Sequence, residues 1–218
     1  MKGLNIIILG PQGSGKGTQA RLLAEKFNLE HFEIGDMLRE IAAGSSEFSK
    51  KVDKTINQQG KLVPYAWIIK MLKLRVQSLS ANQGIIFDGS PRRLPEAKNL
   101  EKMLNNLGRK IDYVFIVNIN EKESLKRLAI RMTCNACNQP FIIGKNVKKG
   151  QKKCPLCRGP LYVRKDDTPE RIVMRLNIYK KETLPVINYF KKKKQLIEIN
   201  GEQSVEKVKE DILKNIKN

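Results

Sequence analysis

The chain has 218 residues, with 42 Lys and Arg against 22 Asp and Glu for a formal net charge of +20, and only 6% aromatics. This length suits one well-cored domain with small insertions, and the charge attracts polyanions. No uninterrupted apolar run is long enough to span a membrane, and the single histidine, His31, gives little scope for a His-based triad.

The N-terminus enters a strand almost at once, leaving no room for a signal peptide, so a cytoplasmic protein is expected. That strand, Leu4 to Leu9, breaks into Gly10-Pro11-Gln12-Gly13-Ser14-Gly15-Lys16-Gly17-Thr18. Four glycines let the backbone curl until successive N–H groups face one concavity, which suits an anion. The helix that follows, Thr18 to about Phe27, adds its positive end. Lys16 can reach outer phosphates and a hydroxyl can ligate Mg²⁺. Because Gly17 follows the lysine and Thr18 comes one later, the strict GxxxxGK[ST] pattern is met only as GKGT. The loop predicts a nucleoside polyphosphate ligand.

Further along, a short strand covers His31 to Ile34, and Gly35 to Val63 holds two short helical patterns without a strand. A helix from Pro64 to Ser78 leads to the strand Gly84 to Phe87. Asp88, at that strand's end, can hold Mg²⁺ through water, while Gly89 permits close backbone approach and Arg92 offers a planar fork for phosphate. Helix Leu94 to Leu107, strand Tyr113 to Ile119 and helix Lys122 to Met132 follow. Arg127 and Arg131 lie four apart on one face of the last. A long helix runs from Pro169 to Phe190, kinked at Pro185, before strand Gln195 to Ile199 and helix Ser204 to Ile216. Arg164 and Arg175 flank Asp166-Asp167. Apolar strands alternating with helices indicate an α/β fold, a five-stranded parallel sheet covered on both faces, with ligands at the carboxyl ends of its strands.

All four cysteines fall between Cys134 and Cys157, as Cys134-x2-Cys137 and Cys154-x2-Cys157. Each CxxC turn presents two thiolates, and four thiolates complete a tetrahedron around Zn²⁺ with no position left for water. The metal is therefore structural, with iron as the alternative occupant and a pair of disulfides disfavoured by the reducing setting. The segment between the pairs has too few apolar residues to build its own core, so metal should hold it folded.

The motifs GPQGSGKGT (10–18), GDMLR (35–39), GKLV (60–63), DGSPR (88–92), RLAIR (127–131), the four cysteines, RKDD (164–167) and INGEQ (199–203) run in order over essentially the whole chain. In these the chain resembles the adenylate kinases, in their long form with a zinc-bearing lid. The resemblance implies a P-loop three-layer sandwich built from 1–32, 63–129 and 168–218, a nucleoside monophosphate-binding flap at 33–62 and a zinc-ribbon-like lid at 130–167. It implies reversible phosphoryl transfer from Mg·ATP to AMP, giving two ADP, by a monomer with structural Zn²⁺ and no stable nucleic-acid partner. ATP would lie on Gly13, Ser14, Gly15, Lys16, Gly17 and Thr18 with Arg127 and Arg131, its adenine lined by Pro140 and Phe141 and touched by the Gln203 backbone. Lys16, Arg92, Arg127, Arg131, Arg164 and Arg175 would neutralise the transferring group, and Asp88, with Asp36, would organise Mg²⁺ waters. AMP would be held by Ile34, Gly35, Arg39, Lys61, Leu62, Val63, Gly89, Ser90, Pro91, Arg92, Glu96, Arg164 and Arg175.

Three positions depart from the family's usual pattern: Ile34 replaces a threonine, Ser90 an aromatic, and Glu96 the glutamine that pairs with the adenine edge. A carboxylate accepts from the adenine amino group but faces the N1 acceptor unfavourably, whereas guanine offers two donors. Glu96 could instead turn to solvent or pair with Arg92 or Arg93. A kinase with a relaxed or non-AMP acceptor, such as GMP, is thus an alternative. A basic zinc-ribbon nucleic-acid-binding ATPase is another, supported by the charge and the cysteines, against which the scarce aromatics count.

Overall fold

A computed structural model describes residues 3–216. Its centre is a five-stranded parallel sheet of β1 (Asn5–Leu9), β2 (Leu29–Glu33), β3 (Gly84–Asp88), β4 (Tyr113–Asn118) and β8 (Leu196–Asn200), in the order β2-β3-β1-β4-β8. β1 and β3 are buried along their whole length. Strand side chains alternate between faces, so a strand covered on both sides needs apolar residues throughout. Ile7, Leu9, Ile85, Phe87, Val114 and Ile116 enter one core, against α4 (Tyr65–Gln77), α5 (Leu94–Asn106) and α8 (Leu184–Lys192). Ile6, Ile8, Ile86, Phe115 and Val117 enter the other, against α1 (Lys16–Phe27) and α9 (Val205–Leu213). Each such side chain contributes about 1.5–3 kcal/mol on burial. This is the expected three-layer sandwich.

Two excursions leave the sheet. After β2 the chain forms α2 (Ile34–Ala42), α3 (Glu47–Asp53) and a π-helical turn at Lys54–Gln58. Ile34, expected to end a strand, begins this helix instead. The second excursion follows α6 (Glu121–Ala129) and is a three-stranded antiparallel sheet, β6-β5-β7, of β5 (Arg131–Cys134), β6 (Pro140–Ile142) and β7 (Leu161–Tyr162). The expected helix Lys122 to Met132 is therefore cut short, because residues from Arg131 onward pair with β6. Nor is this insert coreless: Phe141, Val147, Cys134 and Cys154 are buried together, with Ile143 and Leu161 packed against them.

The long C-terminal helix is interrupted where Pro185 would demand it. α7 (Pro169–Ile178) passes into a π turn, Tyr179–Thr183, before α8 begins. Proline has no N–H to donate to the preceding turn, and a widened turn absorbs the mismatch. Among the described residues no helix is long and apolar enough to cross a membrane.

Candidate active site

A cleft of about 530 Å³ opens at the carboxyl ends of β1, β2 and β3, between the two excursions. Its floor is the loop after β1. Gly10, Gly13 and Gly15 hold φ of 151°, 81° and 91°, where a Cβ is strained. At Gly10 a Cβ would also lie 2.4 Å from the Val117 carbonyl oxygen. α1 starts at Gly15 with no side-chain cap. The first N–H groups of α1 therefore keep their donor capacity for an anion. The hydroxyl of Ser14 is buried without a partner.

Lys16 emerges from that loop into the cleft, its ammonium donating to the Pro11 carbonyl at 3.2 Å. Burial lowers its pKa to about 8; Asp88 pulls it up, and Arg92, Arg131 and Arg175 push it further down. A cluster of like charges around a desolvated ammonium favours the approach of an anion.

The arginines are aimed by backbone and carboxylate partners. Arg92 donates through Nε to the Gly89 carbonyl at 2.7 Å, which directs the rest of its guanidinium into the cleft. Burial lowers its pKa, opposed by Glu96. Arg131 grips Asp167 in two bonds of 2.8 and 2.6 Å, and Arg175 bonds Asp166 at 2.7 Å and Asp167 at 3.0 Å. Arg127 is set by Glu123 at 2.6 Å and Gly13 at 3.3 Å. Arg164 donates to the Thr133 hydroxyl at 2.9 Å; burial, then Arg39 and Arg131, lower its pKa to about 10. Burial acts to lower Arg39 too, but its ion pair with Asp36, together with the charges of Asp166 and Glu33, offsets this and raises it above the ordinary range.

Beside Arg92 the cleft continues into a small side pocket walled by Ile34, Leu62, Val63, Gly89, Ser90 and Glu96. Glu96 is 4% exposed, and one carboxylate oxygen accepts the Arg92 backbone N–H at 2.7 Å. Its other oxygen stands 3.9 Å from Arg93, which is itself anchored to the carbonyls of Val63 and Leu62. Pro91 precedes Arg92 through a cis Ser90–Pro91 bond. Gly35 and Lys61 line the main cleft, as do Gly17, Thr18, Pro140 and Gln203.

Ser14 and Pro91 line neither the cleft nor the side pocket, and neither does Phe141. Its side chain is 4% exposed in the core of the second excursion, and the neighbours Pro140 and Ile142 line the cleft instead. Alternation along β6 forces that choice. Asp36 is paired with Arg39, Arg21 and Arg164, and Glu33 occupies the cleft wall beside Asp88. Sequence reasoning missed Glu33, and Arg21, which donates to Glu33 at 2.7 Å and to Gln139 at 2.8 Å across to the insert. It also gave Asp167 no role, although the RKDD run contained it.

The four cysteine sulfurs lie within 4.8 Å of one another, with Cys134–Cys157 at 3.4 Å and Cys137–Cys154 at 3.8 Å. Metal–sulfur bonds of about 2.3 Å set the edges of an S₄ tetrahedron at about 3.8 Å, and disulfides need about 2.05 Å. The two knuckles are alike: Ala136 and Leu156 donate N–H to Cys134 and Cys154 at 3.4 Å, and Asn138 and Arg158 both take positive φ. The residues present fit a metal ion.

A family profile described as adenylate kinase matches residues 8–195. The chain belongs to the adenylate kinase family. It is 39% identical over 211 residues to the adenylate kinase of Methanothrix thermoacetophila, covering 97% of each chain. The adenylate kinase of Archaeoglobus fulgidus is 40% identical over 209 residues, covering 96% of each. That of Thermosipho africanus is 36% identical over 214 residues, covering 98% of this chain and all of the relative. The chain is thus an enzyme of phosphoryl transfer between adenylates, with the nucleotide-binding P-loop fold of its family.

Proposed function

We propose that the chain transfers a phosphoryl group reversibly from Mg·ATP to AMP, with ATP phosphates on residues 13–18 and the acceptor base in the pocket of Ser90 and Glu96. The supporting observation is the convergence of Lys16, Arg92, Arg131, Arg164 and Arg175 on one cleft between the P-loop and that pocket. Phosphoryl transfer passes through a loose transition state with charge spread over the equatorial oxygens, so it requires alignment and fixed positive charge more than a nucleophile. Lys16 and the uncapped end of α1 would hold the donor phosphates. Arg39 and Arg92 would hold the acceptor phosphate, and Arg127, Arg131, Arg164 and Arg175 would neutralise the group in flight. Mg²⁺ bound with ATP would supply further charge neutralisation, with Thr18 and Asp88 in place to hold it. The flap (33–62) and lid (130–167) would close to exclude water, which otherwise competes with the acceptor. The four-cysteine site would carry structural Zn²⁺ and keep the lid folded.

A second reading, a guanine acceptor, is favoured by Glu96. With one oxygen committed to the Arg92 N–H, the other offers only an acceptor to the base. One coupled assay with ATP against AMP, GMP, CMP and UMP separates the readings. AMP giving the highest kcat/KM supports the proposal, and GMP exceeding it transfers the claim to the second.

A further inference from the structure

β2 carries His31 and Glu33 two residues apart, hence on one face, and Glu33 is in register with Asp88 on β3. The candidate ligand atoms of these three residues lie within 4.8 Å of one another. His31 Nε2 is buried, has no hydrogen-bond partner, and stands 3.5 Å from Asp88 Oδ2. The Asp88 side chain is only 4% exposed. The cluster abuts the phosphate loop, since a Cβ on Gly17 would come 3.1 Å from Asp88 Oδ2. Glu33 is tied by one oxygen to Arg21 at 2.7 Å, and its other oxygen is 3.9 Å from Arg39.

We propose that His31, Glu33 and Asp88 form a direct-ligand site for one divalent transition-metal ion, occupied independently of nucleotide. A cation with bonds of about 2.1 Å places ligand atoms about 3.0 Å apart at right angles and about 4.2 Å apart across it. The His31–Asp88 separation falls inside that range, and Glu33, within 4.8 Å of both, joins by loosening its bond to Arg21. One imidazole with two carboxylates favours first-row transition ions over Mg²⁺, which takes oxygen ligands and keeps its waters. The thiolate cage of the insert selects softer ions, so the two sites do not compete. Any part this ion plays in phosphoryl transfer rests on the kinase reading above; its binding does not.

The test uses the full chain with its cysteine site loaded with zinc and no nucleotide present. Mn²⁺ is titrated and the free-ion electron paramagnetic resonance signal followed, with pulsed spectra recorded on the bound ion. Loss of signal equivalent to one Mn²⁺ per chain is expected, with nitrogen modulation from an imidazole. His31 is the only histidine, so its source is unambiguous. His31→Asn should abolish that modulation and weaken binding at least about tenfold, and Glu33→Gln should weaken binding while keeping the modulation. A folded wild type that binds no Mn²⁺ below millimolar concentration, or binds it without nitrogen modulation, overturns the proposal. Neither failure touches the kinase reading, because no turnover is measured.

Discussion

Replacing Glu96 by Gln exchanges a carboxylate for an amide of the same size in the side pocket proposed to take the acceptor base. The oxygen that accepts the Arg92 N–H at 2.7 Å must remain an oxygen, so the new NH₂ takes the place of the other one, which stands 3.9 Å from Arg93. Weakening that charge-assisted bond costs about 0.5–1.5 kcal/mol of stability. At the base, the amide gives a donor to adenine N1 and opposes the N1–H of guanine. Each such change is worth about 1–3 kcal/mol, or about 5- to 140-fold in kcat/KM. The ratio of kcat/KM for AMP over GMP should rise by at least about fivefold, measured by coupled ADP assay. A ratio within twofold of wild type would show that Glu96 does not read the base, and the argument from its orientation would fail.

Lys16 sits at about pKa 8 in the free protein. A bound triphosphate returns it toward the ordinary lysine range, so ATP binding at pH 8 should take up about half a proton, and affinity should fall as pH rises above 8. Calorimetry in buffers of different ionisation enthalpy reads this directly, and proton release or no exchange would refute it. Asp167→Asn removes the buried carboxylate that positions Arg131 and Arg175. Stability should drop by about 3 kcal/mol, or about 6–12 °C in Tm, and kcat by at least about tenfold. Full activity with a normal Tm would remove Asp167 from the positioning role. Removing the metal should expose residues 138–153 to protease before the parallel sheet loses its structure; unchanged cleavage there would mean that the small apolar cluster around Phe141 suffices.

The central sheet was legible because burial on both faces leaves the stretches Ile6–Leu9, Ile85–Phe87 and Val114–Val117 without a polar residue. The cysteine cage was legible because ligand spacing is local. What escaped was set by pairing distant in sequence. Arg131 belongs to a strand and not to a helix with Arg127, since β6 pairs with it, yet both arginines still line the same cleft. Phe141 fills the core of the insert because a three-residue strand has too little pattern to show which face is inner. Arg21 and Glu33 reach the site only when α1 and the end of β2 come together, and no motif marks either. Glu96 was legible as a departure, but its bond to the Arg92 N–H required the turn through Pro91.

The most direct measurement is phosphorus NMR of the zinc-loaded chain with Mg²⁺, ATP and AMP. ATP and AMP should disappear together, with two ADP formed for each pair and no inorganic phosphate, and Lys16→Ala should stop the exchange by orders of magnitude. Release of inorganic phosphate from ATP without consumption of AMP would contradict phosphoryl transfer between nucleotides as the work of this cleft.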